Sequence, residues 1–562
     1  MPAGKEGTME MENLSRRNLL KLAGAGMMGA TAAGFLAGCG PVPSESKSVG
    51  ASAEGASGHD YSGLEVQQSE AYAVVAGGGA AGLMAAYKLA KEGKKPLVIE
   101  KGASCASSNF AKLSGPAACD TTVQAASGIT LATKLNVYNQ LTTWAKGSVN
   151  TKLISNLLDY SSEAVQDLLD MGLTFYTYVD YTGDPKYAND IKWAPLHNFT
   201  QEGEERIAPV VAAIEDLGGS FIYNCEATEV IMEGGKVAGI RAIEGGKVLH
   251  EISTPAVFLA TGGFGGSEEM VKDLFKGIPV CNMGTPNNTG DGIRMAHEVG
   301  AVSEEFAGLV GNEICGSNVK HGNAMYDENW NLNNENLAFA IYGGLVLDKT
   351  GERFMNEELL AVDPLVYSGQ AGLAQGKYYV LVDGEYYDAC TEEGVYSYLG
   401  EPDWDFGREM FYPVLSAAPG QFEAAVSEGW AAKGDTIAEV AEVFGLDHLE
   451  ETVAAYNALC QAGKDTQFGK DPMFLTPIKE GKGYYLFEYN AAYWTTLGGV
   501  RTNDHLIALT GDNEPIEGLY IGGVNMGSAF CRPYYDIKGA ACGLSIASGV
   551  MAATEMISYI EG

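Results

Sequence analysis

With 562 residues, a formal charge of -36 and 73 glycines, the chain is long enough for two or three domains and too acidic to favour nucleic acid or an anionic lipid surface. The same field would attract a basic protein partner. The charge also fits solubility outside the cytoplasm, and internal repeats are absent.

Chain order begins with Ser15-Arg16-Arg17-Asn18-Leu19-Leu20-Lys21 and the uncharged, small-residue run Leu22–Gly38. This reads as a twin-arginine export signal, because the run is Gly- and Ala-rich and short for a bilayer span. Leu36-Ala37-Gly38-Cys39 has the form of a lipobox, which would leave Cys39 lipidated and the chain on the outer face of the membrane. A chance cysteine beside an ordinary cleavage site is the alternative. Residues 1–39 are therefore expected to be a leader. Residues 40–70, rich in Ser, Gly, Ala and Pro, are expected to be a disordered tether.

The stretch Ala73–Gly102 is read as a strand at Val74-Val75, a glycine turn, a helix over Leu83–Lys91, and a second strand over Pro96–Ile99. Gly77, Gly79 and Gly82 fall in the G-x-G-x-x-G register. The first permits the turn, the second lets a pyrophosphate approach the backbone, and the third lets helix and strand pack closely. Glu100 ends the second strand, where a carboxylate can accept from ribose hydroxyls and repel a 2′-phosphate. The unit is thus one for FAD or NAD. Farther on, apolar periodicity predicts a helix over Thr151–Met171, and alternation around Gly234-Gly235 predicts a hairpin within Gly219–Ile240. Val257–Ala260 is expected to return to the parallel sheet, and Thr289-Gly290-Asp291-Gly292 to open another helix. From 303 to 487 the glycine fingerprints stop and aromatic residues accumulate. A strand at Tyr378–Val382 and helices at Ile437–Phe444 and Leu449–Cys460 are expected there. Gly539–Ala553 is the last expected helix.

The motifs LATGGFGG (Leu259–Gly266), NTGDGIRMAHEVGA (Asn288–Ala301), DKTGERFMNE (Asp348–Glu357) and PIEGLYIGGVNMGS (Pro515–Ser528) stand in this order. With the glycine turn they resemble the fumarate reductase and succinate dehydrogenase flavoprotein superfamily, which includes urocanate reductases and 3-ketosteroid dehydrogenases. The resemblance implies an α/β fold: a Rossmann-like FAD-binding domain (71–302 and 488–562) interrupted by an α+β capping domain (303–487). It implies FAD contacts at Gly77, Gly79, Ala80, Ala81, Gly82, Glu100, Lys101, Ala227, Thr261, Gly262, Asp291 and Gly523. A flavin-wrapping loop would contribute Ser108, Asn109, Ser114 and Gly115. That loop, Ser107–Gly115, contains no histidine, so a non-covalent flavin is expected.

Bound FAD would carry the hydride chemistry, leaving the protein to polarise a substrate and supply a proton. Fumarate reductases do this with histidines and arginines, and this chain departs from them. Thr495 stands where the family has a carboxylate-binding histidine, and Asp536 stands where it has an arginine. Tyr535 and Gly539 instead resemble the Tyr-x-x-x-Gly of ketosteroid dehydrogenases, whose phenol and backbone N–H converge on one oxygen; packing of Tyr535 on the flavin is the bland alternative. Tyr386, Tyr387 and Arg532 are the candidate proton donors, each with a structural alternative. Glu357 matches a proton-relaying acid of the family, but no arginine follows it within 358–362. No histidine spacing suggests a metal, and no C-x-x-C-H suggests haem. The expected function is reduction of an electron-poor C=C bond, an enone or enoate, as an extracytoplasmic respiratory step. The electrons would come from an external donor such as a separate cytochrome or a quinol-oxidising membrane protein. A ketosteroid-type dehydrogenase running the reverse reaction, or a non-catalytic flavin carrier, is the rival reading.

Overall fold

In the computed structural model, the described residues are 59–128, 131–177, 195–304, 308–310, 313–317, 344–362, 372–394, 397–398, 414–416 and 418–562. The leader, the lipobox and the tether as far as residue 58 lie outside them. The tether expectation fails at its end: Glu65–Glu70 form a strand, β1, exposed along its whole length. It pairs in parallel with β7 (Val248–Ser253), Glu65 opposite Val248 and Glu70 opposite Ser253. Main-chain hydrogen bonds at a sheet edge hold it, so it carries no apolar alternation to read.

Val74–Ala76 (β2) is completely buried, and its chain turns at Gly79 straight into α1 (Ala80–Lys91). The helix begins three residues before Leu83, because the Leu83 N–H already bonds the Gly79 carbonyl at 2.9 Å. β3 (Leu97–Ile99) pairs in parallel with β2 on one side. Beyond it lies β4 (Ser220–Ile222). On the other side of β2 lie β8 (Val257–Leu259) and then β13 (Pro515–Ile521), both parallel, with antiparallel β12 (Ile507–Leu509) at the edge. The sheet order is β12-β13-β8-β2-β3-β4. This parallel centre reads as short apolar runs because both its faces are covered.

The hairpin exists as β5 (Cys225–Glu233) and β6 (Lys236–Glu244), with Gly234 at φ 58° and Gly235 at φ 85°. Two consecutive positive φ values are what a type I′ turn demands. The helix expected over Thr151–Met171 is two, α2 (Thr151–Asp159) and α3 (Ser161–Asp170), parted at Tyr160. The Tyr160 N–H bonds Leu157, three residues back, which tightens the last turn of α2 and ends it.

The second sheet centres on β11 (Tyr484–Tyr493), buried over all ten residues. β11 pairs antiparallel with β10 (Lys377–Asp383), which pairs with β9 (Leu345–Leu347). It also takes Val280–Asn282 in parallel. The capping sheet therefore reaches back before 303 and runs on to Tyr493, past the boundary expected at 488. After α6 (Ala418–Ser427), two helices lie where expected, α7 (Ile437–Phe444) and α8 (Leu449–Ala462). The last helix, α9 (Ala540–Glu561), runs eight residues beyond Ala553. It is apolar enough to cross a membrane, but 83% of its apolar window is buried in protein, as befits a core helix. At Gly549 it touches α1 so closely that a Cβ there would stand 2.2 Å from the Ala81 carbonyl oxygen.

Candidate active site: a cofactor cavity ending at the last helix

A cavity of about 520 Å³ runs from the β2–α1 turn to the start of α9. At the turn, Gly77 sits at φ 105°, and a Cβ there would meet the Ala260 carbonyl oxygen at 2.4 Å. At Gly82 a Cβ would meet the Gly77 carbonyl oxygen at 1.8 Å. At Gly79 the space is open, with only Ser108 Cβ at 3.9 Å. Two glycines are thus required by protein packing, and the middle one leaves open space at a helix N-terminus, where anions bind. Glu100 is buried beside it. Its two carboxylate oxygens accept from the Gly78 and Gly102 amides at 2.7 and 2.6 Å. Burial nonetheless pushes the carboxyl above its ordinary value. Lys101 donates to Asp291 at 3.1 Å and to Thr289 at 2.7 Å, fixing the start of α5 (Asp291–Glu298) against this end.

Along the middle, Asn109 works as a brace. Its carbonyl oxygen accepts from the Thr285 amide at 2.8 Å, and its Nδ2 donates to the Trp494 carbonyl at 2.9 Å. Thr261 Oγ1 accepts from the Gly292 amide at 2.9 Å. Two thiols, Cys225 and Cys542, lie on the wall, and burial pushes both up to about 12, so neither is a nucleophile.

The far end is built from Trp494, Thr495, Tyr534, Lys538 and Gly539. Gly539 caps α9 in the left-handed region at φ 76°. A Cβ there would strike the Gly115 carbonyl oxygen at 2.6 Å, so glycine is needed where the Ser107–Gly115 loop and the helix start converge. The Tyr534 hydroxyl accepts from the Ala541 amide at 2.8 Å in the first turn of the same helix.

A family model for the FAD binding domain matches residues 73–532. The chain belongs to that family. The flavoprotein is 27% identical over 475 residues to a vinyl phenol reductase of Lactiplantibacillus plantarum, covering 80% of this chain and 88% of the relative. Its fold matches a 3-ketosteroid delta1-dehydrogenase of Sterolibacterium denitrificans at TM-score 0.64 and 19% identity, over 87% of this chain and 99% of the other. It also matches an open flavocytochrome c3 fumarate reductase at TM-score 0.62 and 19% identity, over 88% and 79%. The flavoprotein is an FAD-dependent oxidoreductase with the α/β fold of the fumarate reductase superfamily, and the open cradle at Gly79 fits the pyrophosphate of FAD.

Of the residues expected to contact FAD, Gly77, Gly79, Ala80, Ala81, Glu100, Lys101, Ser108, Asn109, Ser114, Gly115, Ala227, Thr261, Gly262, Asp291 and Gly523 all line the cavity. Gly82 does not; it packs against Gly77 beneath the turn. The expected catalytic group divides. Gly539 is on the wall, whereas Tyr535 is turned away, 1% exposed, with its hydroxyl donating to the Ala529 carbonyl at 2.7 Å. Tyr386 and Tyr387 belong to the capping core. Tyr387 stacks on Tyr485 with ring centroids 3.8 Å apart, and Tyr386 meets Tyr398 edge-on at 5.3 Å. Arg532 is exposed and off the wall. Glu357 does have an arginine, upstream and not downstream: Arg353 donates to its two oxygens at 2.8 and 2.6 Å, fully buried, with Asp465 3.0 Å from the same guanidinium. Tyr534, Lys538 and Trp494 escaped sequence reading, because a Tyr-x-x-x-Gly count selects the neighbour of Tyr534 and loops carry no periodicity. Among the described residues, no cluster of His, Cys, Asp and Glu gathers as a metal site.

Proposed function

We propose that this flavoprotein reduces an electron-poor C=C bond conjugated to a carbonyl, an enone or enoate. The observation that carries the reading is the far end of the cavity, where Gly539 and Lys538 stand at the amino end of a 22-residue helix beside the Tyr534 ring. A helix N-terminus with an adjacent ammonium favours negative charge on the substrate carbonyl oxygen, which is where charge gathers when hydride reaches the β-carbon. Bound FAD supplies that hydride. Thr495 on the wall, in place of a carboxylate-binding histidine, and the indole of Trp494 favour a neutral or singly charged, planar acceptor over a dicarboxylate. The vinyl phenol reductase similarity supports the neutral, planar shape of the acceptor and not its carbonyl.

The flavin is held non-covalently in this reading, supported by the lack of a histidine among the described residues lining the cavity. Arg16-Arg17 and Cys39 support folded export and a lipid anchor on the outer face of the membrane, with electrons from a separate cytochrome or quinol-oxidising protein. Cys39→Ala should then release the protein from membranes. The deciding experiment is anaerobic reoxidation of the dithionite-reduced holoenzyme by enones, enoates, fumarate and steroids. Return of the oxidised flavin spectrum fastest with an enone or a monocarboxylate enoate supports the reading. A preference for fumarate, or no response to any acceptor, refutes it.

A further inference from the structure

Arg206 occupies the first turns of α4 (Gly203–Asp216), near the positive end of the helix dipole, and is only 1% exposed. Both circumstances disfavour a cation. Its partners explain its presence. Nη1 donates to the carbonyls of Phe110 and Leu113 at 2.6 and 2.7 Å, and Nε and Nη2 both donate to the Gln201 carbonyl at 2.9 and 2.7 Å. The Phe199 ring lies 4.0 Å from Cζ, and the same ring meets Phe110 edge-on at 5.6 Å. Every hydrogen-bond partner is a main-chain carbonyl, and among the described residues no carboxylate pairs with it. Burial pushes the guanidinium down to about 10, so it is still charged at neutral pH.

Phe110 and Leu113 both line the cofactor cavity, and the segment between and beyond them is the cofactor loop that continues to Ser114 and Gly115. Arg206 thus grips from behind, at two points, the loop whose front faces the cofactor. Lysine could not do this, because one ammonium cannot reproduce a planar fork that spans carbonyls on two separate segments. The charge has a second consequence. Arg206 feels the Glu202 carboxylate but makes no ion pair with it, and a cation behind the wall favours an anion in front of it; both the FAD pyrophosphate and reduced flavin are anions.

We propose that Arg206 is the positioning residue of the cofactor site, holding the Ser107–Gly115 loop in its FAD-binding form while its buried charge favours the reduced, anionic cofactor. This rests on the FAD site and not on the identity of the acceptor. The test uses the full-length apoprotein and holoenzyme of Arg206→Lys and Arg206→Met. Arg206→Lys keeps the charge and loses the fork. Amide hydrogen exchange across 107–115 in the apoprotein should speed up roughly tenfold and the FAD dissociation constant rise roughly tenfold, with the flavin midpoint potential unchanged. Arg206→Met loses both, and should weaken FAD about a hundredfold and lower the midpoint potential. Unchanged loop exchange and FAD affinity in Arg206→Lys would overturn the proposal, and that variant decides alone if Arg206→Met yields no folded protein. A midpoint potential that stays put in a folded Arg206→Met would overturn the electrostatic half.

Discussion

Replacing Gly79 separates what the fold needs from what the cofactor needs. Gly79 sits at φ -84°, a conformation open to any L-residue, and its missing Cβ has a single neighbour, Ser108 Cβ at 3.9 Å. Gly79→Val should therefore fold like the parent but fill the cradle that the pyrophosphate needs. The contrast is Gly82→Ala, whose Cβ would lie 1.8 Å from the Gly77 carbonyl oxygen, so the β2–α1 turn itself must shift. FAD at a hundred times its dissociation constant stabilises the parent by about 2.7 kcal/mol, and Gly79→Val should lose all of it. Melting curves with and without added FAD read this directly. The parent should gain roughly 3 °C on FAD addition at that saturation, given the unfolding entropy of a chain of this size. Gly79→Val should gain nothing while its apoprotein melts with the parent's, and Gly82→Ala should melt lower even without FAD. Stoichiometric flavin on purified Gly79→Val would show that the phosphates do not cross this turn. An apoprotein as unstable as Gly82→Ala would show that the cradle is not open.

Tyr535→Phe removes a hydroxyl bonded to Ala529, so it should cost about 1 kcal/mol in urea unfolding and leave flavin reoxidation by the acceptor unchanged. Tyr534→Phe alters the cavity wall and should slow that step roughly tenfold or more; the opposite ranking would return Tyr535 to the site. His197 is held neutral by burial at about 4 against a free value of 6.5, with Thr121 Oγ1 at 2.6 Å from Nε2. The unfolded chain binds more protons between those values, so stability falls as pH drops from 6.5 toward 4. His197 should account for about 2 kcal/mol of loss between about pH 7 and pH 5, a loss that urea midpoints of His197→Gln should lack. Glu357→Gln takes a carboxylate from two buried cations, Arg353 and Lys470, and should destabilise the protein by about 3 kcal/mol; a loss below about 1 kcal/mol would mean that Asp465 alone suffices for them.

The glycine turn was legible because Gly77 answers a positive φ and Gly82 a backbone contact, while Gly79 leaves the space that a pyrophosphate needs. Gly234-Gly235 was legible as Gly77 was, by positive φ. β1 was not, since an exposed edge strand leaves no mark on its side chains. Arg353 stands four residues before Glu357 in a segment that is not helical, so no periodicity joined the two, and the family pattern directed attention to the other side of the acid. The aromatic residues of the cap misled for a tertiary reason. Tyr387 is claimed by Tyr485, nearly a hundred residues away in sequence, and nothing near Tyr387 announces that partner. At the reaction end, a chain that turns without regular structure from Cys531 to Gly539 decides which of two adjacent tyrosines meets the cavity.

The helix α9 also bears on when during the protein's life the cofactor can enter. The glycine turn at residues 77–82 leaves the ribosome well before the wall facing it, which includes Gly523, Gly539 and Ser545. Gly549 then locks α9 onto α1, the first helix synthesised after the turn. A nascent chain therefore presents half a cradle until α9 has been made, and FAD can be embraced only after that helix has folded back across α1.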